Sequence, residues 1–117
     1  MAAPNIVNVV TITGKTALAN VTDSFANLVV NTAASGKVFK VNALYVTNVD
    51  GSANVEIDVG LVRSDYSYAL ANTIIVPADS TLDMISKSIY LEEGDYIQIK
   101  AASNNDIHSI CSYEELS

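Results

Sequence analysis

Hydrophobic and polar residues alternate with a period of two along much of this chain. The clearest case is residues 54–63, where every second side chain is aliphatic: Val55, Ile57, Val59 and Leu61. Because successive side chains of a β-strand point to opposite faces, this alternation predicts a strand with one buried and one solvated face. The solvated face carries two acidic residues, Glu56 and Asp58.

Residues 37–48, just upstream, are apolar on both faces in the middle of the segment. This pattern suits a central strand, or a strand whose second face meets a neighbouring subunit. Asp50-Gly51 lies between the two segments, and Asp-Gly is a strong hairpin signal because both residues tolerate positive φ. We therefore predict one long β-hairpin over residues 36–63. In it, Leu44 and Val46 are either covered by the other sheet or in contact with a subunit.

The rest of the chain shows the same pattern in shorter segments separated by polar turns. Residues 16–23 alternate less cleanly, with Leu18 and Val21 as the expected core contacts, and residues 16–30 are the one segment that a helix could claim. About eight short strands predict an all-β, single-domain antiparallel β-sandwich, jelly-roll-like, over residues 6–117, after an N-terminal arm at residues 1–5. Outside the hairpin, strands are predicted at residues 6–13, 25–31, 66–76, 81–88, 89–91, 96–101 and 107–113, with turns at residues 14–15 and 92–95.

The chain is poor in charge and acidic overall. Of its 117 residues, 50% are hydrophobic and 16% are charged, whereas about 25% charged is usual. The net charge is −7 and the six basic residues are scattered, which argues against direct binding of nucleic acid or an anionic membrane, because a phosphate backbone requires clustered Lys and Arg. The low charge fits either an ordinary β-rich domain or a subunit whose surface is largely buried in an assembly.

Cysteine usage and the chain start indicate the folding compartment. Cys111 is the single cysteine, so no intrachain disulfide can form. The first residues lack the basic and apolar regions of a secretory signal, and no apolar run approaches the roughly 20 residues of a membrane helix. These features are typical of a chain that folds in a cytoplasm.

No group of residues in the sequence indicates catalysis. General acid–base or metal chemistry normally needs several partners, and His108 is the only histidine. Cys111 would face the opposite way from His108 on a strand, so it is interpreted as a small core residue. Residues 92–95, and the pair Glu56 and Asp58, could offer oxygen ligands to Ca²⁺, but they lack the spacing of a calcium loop. We therefore predict a protein that is not an enzyme and holds no cofactor or metal.

Six tyrosines remain as candidates for binding. Tyrosine covers apolar surface while keeping a polar group, and it is enriched at protein interfaces. Tyr66 and Tyr68 share one face of a predicted strand just after a turn. They are interpreted as contact residues, with a purely structural role in the core and sugar binding as the alternatives.

Five short motifs are spread over essentially the whole chain. They are Ala2-Ala3-Pro4-Asn5-Ile6-Val7-Asn8-Val9, Ala34-Ser35-Gly36-Lys37-Val38, Val76-Pro77-Ala78-Asp79-Ser80-Thr81-Leu82, Ile89-Tyr90-Leu91-Glu92-Glu93-Gly94-Asp95 and Cys111-Ser112-Tyr113-Glu114-Glu115. Together they resemble small virion structural proteins of tailed phages that infect cyanobacteria. That family has no catalytic residues to transfer to this chain, so the resemblance implies a place in the phage particle.

The resemblance implies a capsid decoration (cement) protein that binds the outer face of the major capsid lattice and stabilises the head. Its expected partners are the major capsid protein and further copies of itself, as a homotrimer, and it would be made in the host cytoplasm and located on the capsid surface. A component of the tail, neck or fibre, or a module that binds a carbohydrate or receptor, is the alternative. The expected contact residues are Pro4, Asn5, Leu44, Val46, Tyr66 and Tyr68.

Overall fold

The fold consists of two β-sheets packed face to face. The computed structural model describes residues 6–117, in which a short 3-10 helix at Ile6–Asn8 precedes nine strands. The predicted arm at residues 1–5 lies outside the described residues. The strands are β1 Ile12–Val21, β2 Ala26–Val30, β3 Val38–Asn48, β4 Val55–Arg63, β5 Tyr66–Val76, β6 Thr81–Asp83, β7 Ile89–Leu91, β8 Tyr96–Ala101 and β9 Ile107–Leu116.

The strand order is that of a jelly roll. Sheet I has the order β1-β9-β3, and the short strands β6 and β7 pair with two different parts of the far side of β3. Sheet II has the order β2-β8-β4-β5, and every pairing in both sheets is antiparallel. If β6 and β7 are counted as two halves of one interrupted strand, the described residues form eight strands in two sheets of four. The predicted antiparallel β-sandwich is thereby confirmed.

The predicted hairpin over residues 36–63 is wrong, because β3 and β4 belong to different sheets. Strand β3 pairs with β9 over most of its length, whereas β4 pairs with β5 and β8. The connection over residues 49–54 therefore crosses from one sheet to the other. Asp50 does shape a local turn, since its carboxylate accepts hydrogen bonds from the backbone N–H and hydroxyl of Ser52. Asp50-Gly51 thus predicted a turn correctly, but it did not identify the strand that pairs with β3.

The first strand also begins later than its sequence suggests. Gly14 and Lys15 lie inside β1 rather than in a turn, because they pair in unbroken register with Glu114 and Tyr113 of β9. The predicted strand over residues 6–13 is accordingly replaced by the short helix and the start of β1. Residues 16–30, the segment a helix could claim, contain the rest of β1 and all of β2.

A β-bulge near Asn42 explains why β3 is apolar on both faces. The register between β3 and β9 shifts between Val41 and Ala43, so one extra residue reverses the side to which later side chains point. Phe39 and Val41 face the core before the bulge. After it the core-facing residues are Leu44, Val46 and Asn48, which are all fully buried.

Leu44 and Val46 are therefore core residues. Both belong to the central hydrophobic cluster together with Val41, Ile57 and Leu91, which come from other strands or from the first half of β3. The expectation that these two side chains contact a capsid or subunit partner is wrong, because the opposite sheet of the same chain already covers them.

Two buried asparagines tie the loops together at the two ends of β3. Asn48 donates from Nδ2 to the carbonyls of Ala53 and Val76, at 2.8 and 2.9 Å, and accepts a hydrogen bond from the N–H of Asp50. These contacts join the 49–54 loop to the end of β5. Buried polar groups are costly unless they are hydrogen-bonded. Because Asn48 is buried, its hydrogen bonds to these loops favour the one loop arrangement in which all of them form.

Asn31 performs the same task at the other end of β3. Its Nδ2 donates to the carbonyls of Lys37 and Leu91, both at 3.0 Å, and its Oδ1 accepts a hydrogen bond from the hydroxyl of Ser35. Its backbone N–H and carbonyl also bond to Asp95 and Gly94. The loop after β2 and the turn after β7 are thereby held against each other.

Substitution of Leu44 by Asp is expected to unfold the protein. An unpaired carboxylate in the core and the loss of a large aliphatic side chain together exceed about 4 kcal/mol, a large share of a total stability of roughly 5–15 kcal/mol. The neighbouring substitution Tyr45→Asp is the matched control, because Tyr45 points to the outer face of sheet I. Circular dichroism and thermal melting should show an unfolded Leu44→Asp variant and a folded Tyr45→Asp variant; a folded Leu44→Asp variant would contradict the core assignment.

Candidate interaction surface

Tyr66 and Tyr68 lie together at an exposed edge of sheet II. Both belong to β5, the outer strand, and their side chains are 63% and 59% exposed. The ring centroids are 4.8 Å apart and the ring planes are tilted by 53°. Contact between the rings restricts their motion, so less conformational entropy is lost when a partner covers them.

A shallow depression of about 340 Å³ adjoins this tyrosine pair. It is lined by Leu61, Arg63, Tyr68, Ala69 and Leu70. Leu61 and Leu70 are half-buried and pack against the core, so the apolar part of the depression is continuous with the interior. Tyrosine and arginine are among the residues enriched in the energetic centre of protein interfaces.

The guanidinium of Arg63 is held in place by Asp95. Its Nε and Nη2 donate to the two carboxylate oxygens of Asp95 at 2.9 and 2.6 Å, and Nη2 also lies 2.8 Å from Glu92. The Asp95 side chain is only 2% exposed and accepts a further hydrogen bond from the N–H of Glu92. These carboxylates, Asp95 above all, raise the pKa of Arg63, so it remains a fixed positive charge beside the tyrosines.

The same contacts confirm the predicted turn at residues 92–95. The N–H of Asp95 bonds to the carbonyl of Glu92 at 3.0 Å, and Gly94 has a φ of 90°. Glycine adopts this left-handed conformation without steric cost. Asp95 therefore caps the turn and, with Glu92, positions Arg63, whereas Glu93 accepts a hydrogen bond from the backbone N–H of Gly36.

A second exposed apolar surface crosses the outer face of sheet I. Leu18 of β1 lies opposite Ile110 of β9, which in turn lies opposite Tyr45 of β3. The three side chains are 73%, 44% and 42% exposed, so they form one apolar row across three strands. The neighbouring rows are uncharged and consist of Thr16, Ser112 and Ala43 on one side and Asn20, His108 and Thr47 on the other.

Leu18 was expected in the core, and that prediction is wrong. Val21 is buried, as expected, and the less exposed residues before it are Ala17 and Ala19. Leu18 and Val21 are three residues apart and hence lie on opposite faces of a strand. The period of two shows that Leu18 and Val21 cannot both face the core. It does not show which of them is buried, because the other residues on the buried face are two small alanines.

The other sequence candidates are not brought together. Pro4 and Asn5 lie outside the described residues, and Leu44 and Val46 lie in the core. Of the expected contact residues, Tyr66 and Tyr68 are the pair that the structure exposes side by side. Sequence reasoning missed Arg63, whose position beside them depends on Asp95, 32 residues further along the chain.

The structure places the remaining polar candidates apart from one another. His108 is exposed on the outer face of sheet I, whereas Cys111 is completely buried. Asp58 accepts a hydrogen bond from the N–H of Thr73 and lies 3.9 Å from Lys100. Within residues 6–117, no cluster of three or more His, Cys, Asp or Glu side chains could hold a metal ion, and no helix is long and apolar enough to cross a membrane.

Glu115 forms an ionic cluster near the chain end. Its carboxylate is buried and lies 3.1 Å from the ammonium of Lys15 and 2.9 Å from that of Lys37. Burial by itself raises the pKa of Glu115, but the hydrogen bonds from Lys37 and Lys15 outweigh it, so the net pKa is lowered. Because Lys15 lies on β1 and Lys37 directly precedes β3, this carboxylate links the two strands that flank β9.

Comparison with known proteins finds similarity in fold alone. No protein-family model and no curated protein matches this chain. It is similar to a solved chain from the disulfide-linked pili of Bacillus endospore appendages, with a TM-score of 0.55 and 16% identity over 92% of this chain and 88% of that one. It is equally similar to a chain in the acidic stable capsid structure of Helicobacter pylori bacteriophage KHP30, with a TM-score of 0.55 and 13% identity over 93% and 90%.

A pentameric capsid protein from metagenomic phage sequences aligns less well. Its TM-score is 0.45 at 17% identity, over 96% of this chain and 63% of that chain. The two stronger matches show that this jelly-roll fold occurs both in a phage capsid structure and in a pilus. A disulfide link of the kind named for the pili is not accessible to this chain as folded, because Cys111 is buried.

We expect the stabilisation contributed by Glu115 to depend on pH. Its pKa is lower in the folded state, so its contribution is present above the unfolded value of about 4.3 and is lost as the pH falls through the folded value. Glu115→Gln should lower the free energy of unfolding at pH 7 by about 1 kcal/mol, since both lysines are partly exposed and solvent weakens the attraction. Urea titrations at pH 7 and pH 3 should show this difference shrinking in acid.

Glu114→Gln is the matched control for this prediction. Glu114 is adjacent on β9 but points to the other face, so its neutralisation should have little effect at either pH. An equal loss of stability in the two variants, or a loss that persists at pH 3, would contradict the role of the ionic cluster.

Cys111 is expected to be inert in the folded protein. Burial raises the pKa of its thiol to about 11, so little thiolate exists at neutral pH and no reagent can reach it. A thiol-reactive dye at pH 8 should label the native protein at least roughly 100-fold more slowly than the protein unfolded in guanidinium. Rapid labelling of the native protein would show that β9 opens locally.

Proposed function

We propose that this protein is a non-enzymatic structural component of a phage particle, and specifically a decoration protein that binds the outer face of the major capsid lattice. The observation that carries this proposal is the preorganised edge formed by Tyr66, Tyr68 and Arg63. Such an edge provides anchors for a protein partner. It offers no assembled acid, base or nucleophile.

The fold and the sequence resemblance support the same role. The chain resembles small virion proteins over its whole length, and its fold is shared with a chain of the KHP30 capsid structure. A decoration protein must fold by itself before it binds the head. The continuous hydrophobic cluster between the two sheets, which needs no disulfide, is suited to that requirement.

The proposed capsid contact centres on the tyrosine edge. Tyr66 and Tyr68 would enter a complementary pocket, while Arg63, already held by Asp95, would pair with an acceptor on the capsid protein. A guanidinium that is already oriented loses little entropy on binding. The N-terminal arm with Pro4 and Asn5 remains a second proposed contact, and the homotrimer remains a prediction of the resemblance.

A carbohydrate- or receptor-binding role at a tail or fibre is the second candidate. The observation that favours it is the exposed tyrosine pair beside a depression of about 340 Å³, because sugars bind by stacking on such rings. Localisation separates the two candidates. Immunogold labelling of intact particles should place the protein over the head for the decoration role, whereas label at the tail tip would contradict it.

Binding to capsids tests the proposed contact directly. Purified protein should bind to heads that lack it, and the double substitution Tyr66→Ala with Tyr68→Ala should weaken binding at least about tenfold, because two anchor rings are removed. Tyr45→Ala is the matched control, since Tyr45 is an exposed tyrosine on the outer face of sheet I, where it lies opposite Ile110. The proposed contact would be contradicted if the control weakened capsid binding equally, or if the double variant did not weaken it. The capsid role itself would then be tested by the immunogold localisation.

A further inference from the structure

The four outer strands of the sandwich differ in how their edges are protected. Native proteins prevent unwanted strand pairing with short, bulged, interrupted or charged edge strands. Among the described residues, β2 has five residues and a register shift between Asn27 and Val29. The edge formed by β6 and β7 consists of two three-residue pieces, and β5 has shifted register against β4 and a left-handed Thr73, with a φ of 49°.

Strand β1 is neither short, bulged nor interrupted. All ten of its residues pair with β9 in unbroken register, from Ile12 opposite Leu116 to Val21 opposite Ile107. It contains no proline, and its single charge, Lys15, is engaged by Glu115. A long, regular and nearly uncharged edge of this kind is a template for another strand.

The backbone groups on the free side of β1 can be assigned. Thr11 and Ser117 exchange two hydrogen bonds, at 2.8 and 2.9 Å, so odd-numbered residues of β1 direct their backbone groups toward β9. The even-numbered residues therefore direct theirs to the free edge. Leu18 is the fourth of the five even-numbered residues of β1, with Thr16 and Asn20 on either side.

We propose that two copies of this chain pair through their β1 edges, antiparallel about a two-fold axis centred on Leu18. A strand is complementary to itself in this arrangement, and an isologous two-fold contact closes without leading to open polymers. Leu18 would exchange both backbone hydrogen bonds with Leu18 of the second copy. Thr16 and Asn20 would pair crosswise, for about six hydrogen bonds across the new junction.

The exposed apolar row selects this register. Opposed residues of an antiparallel pair lie on the same face, so the row of Leu18, Ile110 and Tyr45 would continue directly into the same row of the second copy. Centring the axis on Thr16 or Ala17 would instead place Leu18 opposite Gly14 or Thr16. Of these three registers, only the one centred on Leu18 places Leu18, the most exposed residue of the row, opposite Leu18 of the second copy.

Charge does not prevent a second copy from binding at this edge. Each chain has a net charge of −7, so two copies repel overall, and this repulsion is smallest where the surfaces in contact carry no charge. The rows around Leu18 are uncharged, and the proposed register places Lys15 opposite Val21 of the other copy instead of opposite Lys15. This pairing does not depend on the proposed capsid role, and it uses a different surface from the tyrosine edge. It is an alternative to the homotrimer that the resemblance implies, because a two-fold contact joins two copies.

Light scattering after size-exclusion chromatography tests the pairing. The wild-type protein should have twice the mass of one chain at high concentration, and Leu18→Lys should raise the dimer dissociation constant at least about 100-fold, because two leucines lose their cover. Ile75→Lys is the matched control, since Ile75 is an exposed aliphatic residue on the outer strand of sheet II. A monomer at millimolar concentration, a trimer, or a dimer unaffected by Leu18→Lys would overturn the proposal.

Two further variants test the backbone pairing and the register. Thr16→Pro removes an outward N–H without touching the bonds to β9, so it should abolish the dimer while the melting temperature stays close to that of the wild type. Leu18→Cys should form an interchain disulfide on oxidation, because paired Cα atoms would be about 5.5 Å apart, whereas Ile75→Cys should not. A Thr16→Pro protein that is folded and dimeric, or the absence of a Leu18→Cys crosslink in a dimer, would overturn the proposed geometry.

Discussion

The insertion of β9 between β1 and β3 is the interaction on which the rest of this structure depends. The C-terminal strand joins a strand that begins at Ile12 to one that begins at Val38, and both pairings run nearly its full length. Glu115 strengthens the same junction through Lys15 and Lys37. Because these contacts are distant in sequence, sheet I is complete only when the last ten residues have been added, and the entropy of closing long loops must be offset by the core.

The two exposed surfaces lie on different sheets. The regular register between β1 and β9 leaves β1 as a long, regular edge and aligns Leu18 with Ile110. In sheet II, β5 is the outer strand, and Tyr66 and Tyr68 are exposed there beside Arg63, which lies opposite Tyr66. A contact for another class of protein and a contact for a second copy can therefore coexist on one small domain without competing for the same residues.

The sequence predicted much of the fold and part of the candidate site. Alternation identified the buried faces of Val55, Ile57 and Val59 in β4, and the glycine turn at residues 92–95 was recognised from its composition. Tyr66 and Tyr68, interpreted from the sequence as contact residues, are exposed, and their contact with a partner stays a prediction. The partner of β3 was not predictable in the same way, because Asp50-Gly51 specifies a local reversal and carries no information about whether the chain then stays in the same sheet.

The sequence by itself determined that this chain is all-β, where most strands lie, and which side chains within each strand share a face. Only the tertiary structure decided which of those faces is covered. Leu44 and Leu18 show why: both lie on strands rich in small and apolar residues, yet a bulge turns the first inward and an unbroken register turns the second outward. The period of two is a local property of the backbone, whereas burial depends on which distant strand lies across the core.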